Sequence, residues 1–197
     1  MSRTRNSIIN VMVAMSGQGV ALIVSFIARI FFINILGADY LGINGLFTNI
    51  LTMLSLVELG IGPAIIFSLY KPLAEKDFEK IKLLMQLYKK SYTIIGIAVG
   101  LLGLLVTPFL PYIIKEMPDV PNLNLIFILF VINSAISYFY AYKRNLIIAD
   151  QYRYVDTIYK YIFYVILNIL QVLFLFFTGS YILFLILQIA SSFLENI

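Results

Sequence analysis

The chain has 197 residues, of which 61% are hydrophobic and only 12% charged, and its mean hydropathy is +0.96. That balance lies far outside the range of soluble domains, and the apolar runs are too long for the short alternating strands of an outer-membrane barrel. Histidine and cysteine are absent and the formal net charge is +4, which excludes thiol and imidazole chemistry, disulfides and the usual zinc, haem and iron–sulfur ligands.

The expectation is an all-α, polytopic membrane protein: a six-helix transmembrane bundle with a cytoplasmic N-terminus, since a bilayer core takes about 20 apolar residues as helix. The basic start Met1-Ser-Arg-Thr-Arg-Asn6 precedes an apolar run too long for a cleaved signal segment. It reads as a retained first crossing, about 7–36. Gly37-Ala-Asp-Tyr40 is a turn, and the second crossing follows at about 41–70. From Pro72 to Lys90, Leu73, Phe78, Ile81, Leu84, Met85 and Tyr88 share one helical face, with lysines mostly opposite. Such a segment, about 73–90, is expected to lie in the interface plane. Further crossings are expected at about 91–114, 123–149, 155–177 and 181–197. The last still has a helical pattern at Ile197, with no capping signal, so the chain reads as truncated inside its sixth helix.

Basic residues set the orientation. Arg3, Arg5, Lys71, Lys76, Lys80, Lys82, Lys89, Lys90, Lys143, Arg144, Arg153 and Lys160 all fall on the side of the N-terminus, whereas the opposite loops carry only Lys115. This asymmetry matches the positive-inside pattern. It accounts for the positive charge through anionic lipid headgroups and leaves no role for nucleic acid.

Within the apolar spans, Glu58 is the costly residue. At 1.5 Å per residue it lies about 4 Å from the midplane, too deep to reach water. Two readings stand: a hydrogen-bonded acid locking helix packing, or a cavity-lining acid for a proton, a cation or a polar substrate. Gly60, Gly62 and Pro63 follow directly and form a candidate hinge. Arg29 lies about 12 Å beyond the midplane of the first helix, which leaves an axial offset from Glu58 of about 16 Å and argues against an ion pair. It either reaches the outer headgroups or offers its planar fork to a phosphate. Gln18, Asn49, Asn133, Asn168, Gln171 and Gln188 read singly as interhelical glue. Glu195 is a second midplane acid. No metal cluster, nucleotide fingerprint or catalytic triad is present in the sequence, so an enzyme is not expected, nor is a cofactor.

The run Ala28-Arg29-Ile-Phe-Phe-Ile-Asn34-Ile-Leu-Gly37-Ala-Asp-Tyr40-Leu-Gly42-Ile-Asn-Gly45-Leu-Phe47 resembles the junction between the first two helices of bacterial polysaccharide flippases. So do Glu58-Leu-Gly60-Ile-Gly62-Pro-Ala64, Phe67-Ser-Leu-Tyr70-Lys-Pro72-Leu-Ala74 and Lys143-Arg144-Asn-Leu-Ile-Ile-Ala-Asp150-Gln151. These flippases belong to the multidrug/oligosaccharidyl-lipid/polysaccharide exporter superfamily. The resemblance implies two six-helix lobes, of which this chain matches the first, and alternating access in the cytoplasmic membrane. The implied substrate is an undecaprenyl-diphosphate-linked oligosaccharide, with H+ or Na+ as coupling ion and polysaccharide-assembly proteins as partners. Arg29 matches a cavity-lining arginine of the family by position, and Asn34 stands where many relatives carry an arginine. Substrate-binding positions are thus expected at Arg29, Glu58, Gln18 and Asn34. The alternatives are an ion-coupled multidrug or cation antiporter and a non-transporting truncated scaffold.

Overall fold

A computed structural model describes residues 3–58, 60–114, 118 and 120–196, the side chains of 3–8 and 57 excepted. The side chains of Arg3 and Arg5, the loop residue Lys115 and the chain end at Ile197 therefore lie outside the described residues. The chain folds as α1 (Arg3–Leu36), α2 (Ala38–Leu54), α3 (Ile61–Glu75), α4 (Phe78–Val106), α5 (Leu110–Ile113), α6 (Leu123–Ala149), α7 (Arg153–Thr178) and α8 (Tyr181–Asn196). There is no strand among the described residues. Four stretches are long and apolar enough to cross a membrane: Ile9–Leu36, Phe78–Ile113, Leu123–Ala149 and Arg153–Thr178. The protein is membrane-embedded.

Two elements differ from expectation. The second predicted crossing, 41–70, is not one helix. After α2 the chain tightens into a 3-10 turn at Ser55–Glu58, passes Gly60 at φ 88°, and restarts as α3. Only glycine takes that left-handed φ freely, and Pro63 sits in the first turn of α3, where its missing N–H costs nothing. α3 then runs through Pro72, past the expected end of the crossing at about 70, and ends at Lys76 in the left-handed region.

The second difference is the separate interfacial helix at 73–90, which is not present as such. Its first residues end α3, and the remainder is the first part of a continuous α4. The Asp77 side chain caps α4 by accepting from the Lys80 N–H at 3.0 Å. No glycine or proline separates Lys90 from Tyr92. Ser91 Oγ donates to the Leu87 carbonyl at 3.1 Å, so it stays inside the helix. The buried residues Tyr88, Tyr92, Ile95, Gly96, Val99 and Gly103 form one stripe straight through the expected boundary. Lysines mark depth along a helix; they do not interrupt it.

α6 is the central element and touches α2, α3, α4, α7 and α8. α1 and α7 run parallel: Asn10 Oδ1 accepts from the Tyr154 N–H at 2.7 Å, and Gln18 Oε1 accepts from the Tyr161 hydroxyl at 3.2 Å. Two apolar clusters occupy opposite ends. One joins the end of α1 to the starts of α2, α6 and α8 through Phe32, Phe47, Phe127 and Tyr181. The other joins α3, α4 and the second half of α6 through Leu69, Tyr88, Tyr92 and Tyr138. Lys76, Lys80, Lys143 and Arg153 gather at this second end, with α3 closing and α4 opening there. Polar side chains fill the middle.

The α4–α6 contact depends on small residues that let the backbones approach. A Cβ on Gly96 meets the Ala135 carbonyl oxygen at 3.1 Å, and one on Gly103 meets Val131 at 2.6 Å. Gly96→Leu is expected to overpack this contact by about 1–3 kcal/mol and to lower the thermal unfolding midpoint of the detergent-purified chain. Gly19→Leu, at a glycine with open space around it, is expected to leave the midpoint almost unchanged.

Candidate functional site

A cavity of about 510 Å³ opens between α2, α6, α7 and α8, at the level where the two apolar clusters part. α2 contributes Asn44, Thr48, Thr52 and Ser55, a stripe at helical spacing. Facing them are Asn133, Ser134 and Ser137 of α6, Tyr164, Asn168 and Gln171 of α7, and Gln188 of α8; Phe130 and Phe184 supply apolar surface. No charged side chain lines this cavity among the described residues.

The hydrogen bonds decide what the lining offers. Thr48, Thr52 and Ser55 each donate to a carbonyl four residues back, at 2.7, 2.8 and 2.8 Å, and Ser137 donates to the Ser134 carbonyl at 2.7 Å. Their protons are spent on the helices, and their lone pairs remain. Gln171 Nε2 donates to Gln188 Oε1 at 3.0 Å and to the Phe184 carbonyl at 3.1 Å, tying α7 to α8. Asn133 Oδ1 is buried without a hydrogen-bond partner. The surface is therefore rich in acceptors and suits a neutral ligand that brings its own donors. Its volume lies within the usual range of about 300–1,000 Å³ for small-molecule sites.

Beyond Tyr164, Leu167 and Gln188, which line both, lies a second cavity of about 440 Å³ between α1, α7 and α8. It carries Gln18, Ser25, Ser191 and Ser192 and, unlike the first, the charged residues Lys160 and Glu195. These belong to a network of four charges. Arg144 pairs with Glu195, and its Nε lies 3.5 Å from Asp156 Oδ1; Lys160 Nζ lies 3.6 Å from Asp156 Oδ2. Two cations and two anions balance within the bundle, which joins α6, α7 and α8 near the basic end.

The residues expected to bind substrate are not brought together. Glu58 sits at the α2–α3 break, where Oε1 accepts from the Tyr92 hydroxyl at 3.0 Å, and Tyr92 in turn accepts from Asn145 Nδ2 at 3.1 Å. Gln18 bonds Tyr161 and lines the second cavity. Arg29 and Asn34 are exposed on α1 and line neither cavity. Of the hinge positions, Gly60 and Gly62 flank the start of α3, and a Cβ on Gly62 lies 3.3 Å from the Tyr92 hydroxyl oxygen. Asn133, Asn168, Gln171 and Gln188, read singly from sequence, converge on the first cavity, whereas Asn49 is exposed elsewhere. Asn44, Thr48, Thr52 and Ser55 were missed. Their spacing of four, four and three residues is the signal that would have found them.

Comparison with known protein families, with curated proteins and with solved structures finds no match.

Arg144 is the keystone of the charge network. Its side chain is 23% exposed and that of Asp156 only 9%. Arg144→Ala leaves two acids facing a single half-exposed lysine, and breaking one side of a buried pair costs about 3–5 kcal/mol. Unfolding of the purified chain is expected to show that loss. Lys71→Ala, which removes a surface pair with Glu75, is expected to change stability little.

Proposed function

We propose that this chain is the first lobe of a flippase that carries a lipid-linked oligosaccharide across the cytoplasmic membrane by alternating access, with the sugar portion held in the neutral cavity. The observation that carries this reading is the lining of that cavity: amides, hydroxyls, aromatic rings and the leucines Leu51, Leu129, Leu167 and Leu185, with no charge among the described residues, inside an apolar protein. A sugar brings many hydroxyl donors, which the acceptor-rich wall satisfies, and apolar sugar faces rest on rings such as Phe130, Tyr164 and Phe184. In this reading the bundle crosses the membrane six times, with the broken α2–α3 pair as one crossing and α8 as another. The basic end faces the cytoplasm. The anionic link of the substrate lies toward Lys160 in the second cavity. Arg29 and Asn34, exposed on α1, belong to the face turned to the outer headgroups or to a second lobe. Glu58 holds the hinge at Gly60, Gly62 and Pro63, and a coupling ion and polysaccharide-assembly proteins complete the system.

An antiporter of organic cations is the alternative. The acceptor excess of the cavity favours it, and the lack of a carboxylate in the lining weighs against it, because a cation stripped of water needs an opposite charge beside it.

Asn133→Leu separates the two. Asn133 Oδ1 has no hydrogen-bond partner among the described residues, so its removal breaks no bond at that oxygen, and an unchanged thermal unfolding midpoint is expected to accompany the variant. In nanodiscs, binding of a neutral trisaccharide linked to a short prenyl diphosphate is expected to weaken about tenfold, equivalent to about 1.4 kcal/mol. Unchanged affinity in this variant, together with tight binding of a lipophilic organic cation by the unaltered protein, would establish the antiporter instead.

A further inference from the structure

Where α1 meets α7, one side chain separates three different environments. The Tyr161 ring lies against the backbone of Gly17, so close that a Cβ there would be 2.1 Å from the ring. On its inner flank is the second polar cavity, with Gln18, Lys160 and Glu195. Toward the basic end is a cavity of about 480 Å³ that includes Asn10, Arg153, Asp156 and again Lys160. On its outer flank is a groove of about 470 Å³ whose walls are almost wholly apolar: Val13 and Val20 from α1, Ile158, Ile162, Val165 and Ile166 from α7. Tyr161 lines all three.

α1 and α7 are both long and apolar enough to span a membrane, which would open the outer groove to hydrocarbon, while the inner cavity leads, past Tyr164 and Gln188, to the neutral cavity. The barrier between them is thin. The Tyr161 hydroxyl donates one hydrogen bond, to Gln18 at 3.2 Å, and its ring packs on the bare backbone of Gly17, so a single side chain forms the partition. Lys160, half-exposed beside it, supplies a cation at the level of the barrier. Apolar groove, cation and polar cavity in that order complement an amphiphile made of a hydrocarbon chain, an anionic link and a hydroxyl-rich head.

We propose that the α1–α7 seam is the lateral portal for such a ligand: its branched hydrocarbon chain lies in the groove of Val20, Ile162 and Val165, its anionic link faces Lys160, and its head passes Tyr161 into the polar cavities. The inference rests on the flippase reading for the identity of the head, and it assigns the chain-binding and gating residues that reading lacks. Ordinary bilayer lipid also touches exposed helices, so the test must show a specific chain.

The full chain is placed in phosphatidylcholine nanodiscs with a farnesyl phosphate bearing a chain-terminal diazirine, irradiated, and its adducts mapped. The expected result is labelling concentrated at Val20, Ile162 and Val165 that excess unlabelled farnesyl phosphate removes. Val165→Trp, which fills the groove, should lose that labelling while the free trisaccharide still binds the neutral cavity. Adducts spread evenly over the apolar faces of α1 and α7, and not competed, would mean bulk lipid contact and overturn the portal. Crosslinking of two protein copies through the groove would overturn it equally, in favour of a protein occupant. Competed groove labelling without any trisaccharide binding would uphold the portal and remove the flippase reading instead.

Discussion

The Tyr92 hydroxyl joins the three parts of this protein that meet at the break between α2 and α3. It donates to Glu58 at the end of the 3-10 turn and accepts from Asn145 on α6, and it faces Gly62 at the start of α3. In a hydrocarbon medium an interrupted helix exposes backbone groups that nothing outside can satisfy, so a break persists only where the protein supplies polar surroundings. Glu58 is thus tolerated by a directed chain of hydrogen bonds from amide to phenol to carboxylate, not by a cation. Tyr138, stacked on Tyr92 at 6.5 Å between ring centroids, faces the same Glu58 and also Ser55.

That polar break lies against the cavity. Ser55 is both the first residue of the 3-10 turn and the last hydroxyl of the α2 stripe that lines the cavity. Before the change of helical pitch at Ser55, α2 shares a cavity with α7 and α8; beyond it, Glu58 and α3 pack on α4 and α6. One helix in projection therefore serves two neighbourhoods: Thr48 and Thr52 present lone pairs to the cavity, and Glu58 turns toward Tyr92. A straight helix from 41 to 70 has a single continuous stripe and cannot do both.

Much of the architecture was legible in the sequence because hydropathy and breakers report on it directly. The turn at Gly37, the irregularity at Gly60 to Pro63, and the starts of α6 at Leu123 and α8 at Tyr181 follow from residue type alone. Glu58 bonds Tyr92 and Arg29 is exposed on α1, and the two form no ion pair among the described residues. What the sequence did not disclose is lateral: which neutral side chains from distant helices meet. Asn44 and Gln188 line the same cavity across 144 positions, and no local pattern encodes that meeting. Arg144 and Glu195 read as a loop-proximal base and an isolated acid until α6 and α8 place them together. Charge was also the wrong guide to the cavity, since ionised residues stand out in an apolar sequence, whereas hydroxyls and amides at helical spacing do not.

The arrangement of charge and neutrality has a physical logic of its own. Among the described residues, Arg144, Lys160, Asp156 and Glu195 form a balanced set of four near the basic end, where each sign has a partner and the loss from water is partly returned. Deeper in, the lining changes to hydroxyls and amides whose donors are mostly held by the protein itself. In the flippase reading proposed above, a ligand moving inward from Lys160 would pass from a region that discriminates by charge to one that discriminates by hydrogen-bond pattern. The second kind of recognition is better suited to a group that must also leave, because neutral hydrogen bonds contribute only about 0.5–1.5 kcal/mol each and can be exchanged one at a time. In the flippase reading proposed above, a site built on an unpaired charge would release its ligand more slowly, and the neutrality of this cavity lowers that barrier.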